Sequence, residues 1–142
     1  MSVRRKEIQK LKKGDYIMID DEPCVTKSTK RAQTGKHGHV RITIVGKGVF
    51  SYKSRTLTSL TGTSVDVPEI YKGTAQINFI ETDSINIMDT VSFQQFDVGW
   101  PPDKEIYEKI KDLSTNPSKI QDAKLEYWQI AGRILITQVS DN

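Results

Sequence analysis

Val40-Arg41-Ile42-Thr43-Ile44 alternates apolar and polar residues strictly. That period of two predicts a strand with Val40, Ile42 and Ile44 on one face. Shorter stretches of similar character surround it. Asp15–Asp20 (DYIMID) reads as a strand closed by the turn-forming run Asp20-Asp21-Glu22-Pro23, and Pro23–Thr29 reads as a second. Tyr52–Leu60 and Ser64–Val67 are two more, rich in Ser and Thr. Gly46-Lys47-Gly48 is expected to end the strand that begins at Val40. Five short strands within residues 1–70 predict a small antiparallel barrel.

From Val67-Pro68 to Gly73 the composition turns from basic to acidic, which sets a predicted boundary between domains 1–70 and 71–142. Beyond it, Thr74–Ile80, Ser84–Met88 and Ser92–Val98 read as strands. Pro101-Pro102 opens one helix, Asp103–Leu113, with Asp103 as N-cap and Ile106, Ile110 and Leu113 along one face. The polar stretch Ser114–Asp122, which contains Pro117, reads as a loop. Leu125–Ile130, an Ala131-Gly132 turn and Arg133–Val139 make a closing hairpin. Five strands with a helix between the third and fourth is the order of an OB-fold barrel. No internal repeat is present. The fold class is therefore all-β.

Charge sharpens the division. The 142 residues carry 21 Lys/Arg and 18 Asp/Glu, a net charge of +3. Residues 1–70 hold 14 of the basic residues against 7 acidic ones, whereas residues 71–142 hold 7 against 11. From Pro23 to Val65 there is no acidic residue at all. Such asymmetry points to a nucleic-acid or membrane-surface partner for the basic half, with a solvated basic surface as the plain alternative. The membrane version is the weaker, because no basic amphipathic helix is visible there. No apolar run approaches the roughly 20 residues of a membrane-spanning helix. The start, MSVRRKEIQKLKKGD, lacks the apolar core of a secretory leader. Cys24 is the single cysteine, so neither an intrachain disulfide nor a cysteine-based zinc site is available. A soluble cytoplasmic protein is expected, without a membrane partner.

Between the strand ending near Thr29 and the one starting at Val40 lies Lys30-Arg31-Ala32-Gln33-Thr34-Gly35-Lys36-His37-Gly38-His39. It reads as a ten-residue projecting loop with cations along both arms, in which Gly35 and Gly38 permit a sharp turn around Lys36 and His37. Four chemistries compete for it. A phosphate-binding P-loop fails, because Lys30 stands where Gly is needed and His37 where Ser or Thr is needed. His37 and His39 as metal ligands lack a third donor in the loop. Cys24 with a histidine would form a nucleophile–base pair, yet no catalytic motif surrounds Cys24, which also fits as a buried strand residue. The fourth is a lysine displayed for contact or modification beside RNA, against which stands an ordinary solvated turn.

Thr34-Gly35-Lys36-His37-Gly38-His39 resembles the signature hairpin of the translation initiation factor 5A family of archaea and eukaryotes, whose bacterial relative is elongation factor P. The resemblance extends along nearly the whole chain. Asp15–Cys24 is similar to the family's opening strand and turn, and Val65-Asp66-Val67-Pro68 to its domain junction. Leu125–Arg133 resembles the archaeal C-terminal hairpin, while His39 is closer to the eukaryotic motif.

The resemblance implies an SH3-like barrel followed by an OB-fold with one short helix. It implies that Lys36 is the residue converted to deoxyhypusine or hypusine by deoxyhypusine synthase, which transfers an aminobutyl group from spermidine. The chain would then be an enzyme's substrate and not an enzyme, with no cofactor or metal beyond that covalent arm. Implied partners are the ribosome at its exit site and peptidyl-tRNA, where the family assists peptide-bond formation on stalled ribosomes, notably at consecutive prolines. Lys30, Arg31, Thr34, Gly35, His37, Gly38, His39 and Arg41 would contact RNA around Lys36. Two rivals stand beside this reading. One is a general RNA-binding protein or RNA chaperone acting through both barrels. The other is a ribonuclease using His37 and His39 as acid and base.

Overall fold

A computed structural model describes residues 3–34 and 39–140. The chain divides into two compact units, Met1–Glu69 and Ile70–Asn142. In the first unit β1 (Val3–Glu7), β2 (Tyr16–Ile19), β3 (Glu22–Thr34), β4 (His39–Gly48), β5 (Ser54–Leu60) and β6 (Ser64–Pro68) follow in order, with a short 3-10 turn at Ile8–Lys10. β2-β3-β4-β5 form an antiparallel sheet, and β1 pairs with β6 as a separate ribbon. Ile8, Ile17, Ile19, Cys24, Ile42 and Ile44 are fully or almost fully buried between them, with Val40, Leu57 and Val67 packed alongside. The alternation in 40–44 is thus the core face of β4.

Two expectations for this unit are corrected, and a sixth strand joins the five predicted. Val3–Glu7 is a strand although its sequence, VRRKE, carries no alternation. Its conformation is set by ladder bonds to β6 in the register Arg4↔Val67 and Lys6↔Val65, joined by an Arg5–Asp66 ion pair at 3.4 Å. Gly46 and Gly48 do not end β4; they lie inside it. A Cβ on Gly46 would stand 3.1 Å from both Cys24 Cβ and Ile19 Cδ1, and one on Gly48 would collide with the Glu22 carboxylate. These glycines mark a close approach of backbone and side chain. The ten-residue loop is mostly strand as well: Lys30–Thr34 belongs to β3, and β4 starts at His39.

In the second unit β7 (Ile70–Ile80), β8 (Ile85–Asp89), β9 (Gln95–Val98), β10 (Lys124–Ile130) and β11 (Arg133–Ser140) form one antiparallel sheet in the order β11-β10-β7-β8-β9. Its two end strands, β9 and β11, approach each other as the sheet curls. Helix α1 (Lys104–Thr115) follows β9. The Asp103 carboxylate accepts from the Ile106 amide at 3.0 Å, so the predicted N-cap is in place. Ile110 and Leu113 are buried and Ile106 packs against the same core. Pro117–Asp122, read as loop, winds as a 3-10 turn. Among the described residues no helix is long and apolar enough to cross a membrane.

Tyr127 anchors this core. It is 2% exposed, its ring lies 5.7 Å from that of Phe96, and its hydroxyl donates to the Asp89 carboxylate. The same carboxylate accepts the Val91 and Ser92 amides at 2.7 and 2.8 Å. Gly73 lies against the ring, and a Cβ there would come within 2.8 Å of it. Gly73→Ala is therefore expected to destabilise the chain by about 1–3 kcal/mol, because the ring can yield only by breaking its bond to Asp89. Gly99→Ala, which meets nothing within 4 Å, serves as the control. Urea unfolding of both variants measures the difference.

Candidate nucleic-acid interface

The two arms that lead into Lys36 are a paired β-ribbon. β3 and β4 run antiparallel in the register Lys30↔Thr43, Arg31↔Ile42, Ala32↔Arg41, Gln33↔Val40 and Thr34↔His39. Residues directly opposite each other share a face of the ribbon, and neighbours along a strand alternate. Lys30 and Arg41 therefore lie on one face, with Thr43, whose hydroxyl meets that of Thr58 at 3.2 Å. Arg31 lies on the other, the face that carries Ile42 into the core. The sequence grouped these three cations around one lysine; the pleat divides them between two faces. All three side chains are exposed. Gly35, Lys36, His37 and Gly38 lie outside the described residues, between the last described pair, Thr34 and His39.

Lys27 joins the set for a reason its residue type does not reveal. The ladder shifts register between Thr26 and Ser28, so Lys27 is the extra residue of a β-bulge and is exposed at the base of the ribbon. The sequence signal was only that it is basic.

The electrostatics follow from where the acids are committed. Glu22, 5% exposed, accepts from the Ser51 amide at 2.8 Å, the Phe50 amide at 3.3 Å, the Ser51 hydroxyl at 2.8 Å and Arg55 Nε at 2.7 Å. Burial by itself would raise its pKa. The Ser51 amide, Arg55, the Ser51 hydroxyl and the Phe50 amide together outweigh burial and hold it at about 2. Arg55 also reaches Asp20 at 3.6 Å. One cation of the basic stretch is thus neutralised inside the unit. Lys47 sits over the Tyr52 ring at 4.3 Å. Lys6 pairs with Asp15, Lys10 with Glu7 and Arg5 with Asp66. Among the described residues Lys27, Lys30, Arg31 and Arg41 make no ion pair. Their charge is left to solvent and to whatever anion approaches the ribbon.

Other chemistry finds less support here. Cys24 is fully buried in β3, its thiol donating to the Glu22 carbonyl at 3.4 Å. Burial first, then the Glu22 charge, pushes that thiol up, away from the thiolate a nucleophile requires. Among the described residues no three His, Cys, Asp or Glu side chains gather as metal ligands.

Comparison with known proteins places this arrangement. Residues 3–63 match the family described as Translation initiation factor 5A-like, N-terminal. The chain is 37% identical over 139 residues to a Translation initiation factor 5A of Sulfurisphaera tokodaii, covering 98% of this chain and 99% of that protein. It is 39% identical over 134 residues to its counterpart in Pyrococcus furiosus, covering 94% and 91%. Among solved structures it resembles the eukaryotic translation initiation factor 5A from Methanococcus jannaschii, with a TM-score of 0.75 and 25% identity over 97% of this chain and 95% of that one. A factor eif-5a family protein from Naegleria fowleri gives a TM-score of 0.77 over 97% and 98% of the two chains; at 24% identity it speaks to the fold alone. The fold is accordingly an N-terminal SH3-like barrel and a C-terminal OB-fold.

Proposed function

The chain belongs to the translation initiation factor 5A family, and from that premise we propose that it binds the ribosome near the exit site and promotes peptide-bond formation on stalled ribosomes through a deoxyhypusine or hypusine on Lys36. The observation that carries this reading is the ribbon itself. β3 and β4 remain paired up to Thr34 and His39, and four exposed cations on them make no ion pair among the described residues. A paired ribbon holds its outer residues in one geometry. An unpaired loop of the same length would need to be ordered on binding, at a cost in entropy.

The chemistry needs no catalytic side chain from this chain. An aminobutyl group donated by spermidine lengthens Lys36 and adds a second cationic amine. Such an arm reaches phosphate and sugar oxygens of a tRNA acceptor end. Lys30 and Arg41 on one face and Arg31 on the other meet RNA backbone along the ribbon's flanks. Fixing peptidyl-tRNA in this way lowers the entropic part of the barrier to peptidyl transfer. The chain is then a substrate of deoxyhypusine synthase and a positioning factor on the ribosome.

Two measurements test the reading. Intact mass of protein purified from its own source should show an aminobutyl addition that peptide mapping assigns to Lys36; an unmodified lysine favours general RNA binding instead. Affinity for ribosomes should fall steeply with salt, as counterions return to the phosphates. The double variant Lys30→Glu, Arg31→Glu should bind more weakly and shift the log–log salt slope by about 1–2. An unchanged slope would place the RNA away from these two positions of the ribbon.

A further inference from the structure

The sheet order leaves one side of β3 open. β2 pairs with β3 only from Glu22 to Val25, and beyond that the Thr26 amide and carbonyl still bond Asp15 and Gly14. From Lys27 to Thr34 the other side of β3 has no neighbouring strand among the described residues, and Lys27–Gln33 are all exposed.

Which backbone groups face that open side follows from one hydrogen bond. The Thr61 amide donates to the Val40 carbonyl at 2.9 Å, which turns the polar backbone of Val40 toward β5. By alternation Ile42 and Ile44 turn the same way. Their partners across the ladder are Gln33, Arg31 and Thr29. These three residues are therefore in non-hydrogen-bonded pairs with β4, and their N–H and C=O groups point out of the sheet's open edge. Donor and acceptor recur there every two residues, about 6.8 Å apart. Lys30 and Ala32, between them, spend their backbone groups on β4.

We propose that this edge is a docking strand for an extended acidic segment of a protein partner, the enzyme that modifies Lys36, which adds to β3 as a further strand. The partner's identity rests on the function proposed above. The mode of docking rests on the edge. Two observations select this occupant. The edge offers N–H donors and C=O acceptors in equal number; a peptide strand satisfies both, whereas phosphate oxygens accept only and leave three carbonyls unpaired. Lys27, Lys30 and Arg31 flank the edge without ion pairs among the described residues, so an acidic segment is complementary and a second copy of β3 is repelled.

The pattern of outward amides supplies the experiment. Proline at position 31 or 33 removes an N–H that bonds nothing in the sheet, and edge strands tolerate proline at such positions. Arg31→Pro and Gln33→Pro in the full chain are thus expected to melt close to the parent, whereas Lys30→Pro breaks the β4 ladder and does not. Aminobutyl transfer by deoxyhypusine synthase from a matching source is then followed with labelled spermidine. Arg31→Pro and Gln33→Pro should each raise KM for the chain by about tenfold with kcat unchanged, the loss of one backbone hydrogen bond to the added strand. Arg31→Ala, which keeps the amide and loses the charge, should raise it by about threefold at most. Equal KM values for Arg31→Pro and Arg31→Ala in a modified parent would overturn the docking strand alone. Gln33→Pro, which removes no charge, modified normally but weakened in ribosome binding would assign the edge to RNA. A parent chain that gains no aminobutyl mass would overturn the functional reading, and the docking partner with it.

Discussion

Lys36→Arg is expected to melt within about 0.5 kcal/mol of the parent and yet to leave ribosomes stalled on proline runs. In the sequence Lys36 stands between Gly35 and Gly38 in a polar stretch with no apolar neighbour, and changes away from cores and caps are nearly neutral. It also keeps a positive charge. What it removes is the primary amine on which an aminobutyl arm is built. A guanidinium is a planar fork of fixed reach and does not substitute for a long flexible chain with two separate amines. The check is a reconstituted translation system from a matching source, with a message encoding consecutive prolines and both proteins exposed to the synthase and spermidine. The variant should perform no better than parent protein never exposed to the synthase. Equal rescue by Lys36→Arg and modified parent would show that charge alone suffices, and general RNA binding would become the leading account.

Replacement of Glu22 should have the largest effect on stability. Its carboxylate accepts four hydrogen bonds, from two amides, a hydroxyl and the Arg55 guanidinium, in a nearly closed site. Glu22→Gln keeps the shape, removes the charge and turns an amino group toward donors. Hydrogen bonds to a charged group contribute about 1.5–3 kcal/mol each, and the stranded donors add a desolvation penalty. A net loss of about 2–3 kcal/mol is expected, which for a unit of this size lowers its melting temperature by roughly 10 °C or more.

The acid limb of the stability curve gives a second readout. The folded pKa of Glu22 is about 2, below its ordinary 4.5. Its contribution is therefore complete above pH 4.5 and is lost as pH falls from 4.5 toward 2. Amide exchange at β3, β4 and β5 should show parent and Glu22→Gln far apart at neutral pH and converging in acid. A constant gap between them would remove Glu22 from the account of acid sensitivity.

The residues that make this fold legible and those that make it work are partly different. Alternation in 40–44 announces a half-buried strand because only one face of β4 reaches the core. Asp103 and the apolar spacing of Ile106, Ile110 and Leu113 announce α1 because capping and helical periodicity are local. The acid-free stretch from Pro23 to Val65 is legible as charge, and the motif from Thr34 to His39 as a resemblance. None of these needs a distant partner to be recognised.

The misread parts all depend on partners far away in the chain. Val3–Glu7 is a strand because β6, some sixty residues on, supplies its ladder. Gly46 and Gly48 resemble breakers until Cys24, Ile19 and Glu22 are seen to occupy the space their side chains would take. Lys30–Thr34 resembles a loop because it carries no apolar alternation of its own; the core residues along the ribbon, Val40 and Ile42, are on the opposite strand. Glu22 reads as turn chemistry, while its partners Phe50, Ser51 and Arg55 lie about thirty residues downstream.

By itself, then, the sequence determined the division of charge between two β-rich halves, the helix and the core strand β4, and it singled out the lysine on which the proposed function stands. Only the tertiary structure decided that Lys30 and Arg31 face opposite ways, that Lys27 is a bulge, and that the backbone of Thr29, Arg31 and Gln33 is left open at a sheet edge. The reason is physical. Side-chain patterns encode which face of a strand is buried, but register and neighbours are set by backbone N–H and C=O groups, which are the same in nearly every residue and leave no mark in the sequence.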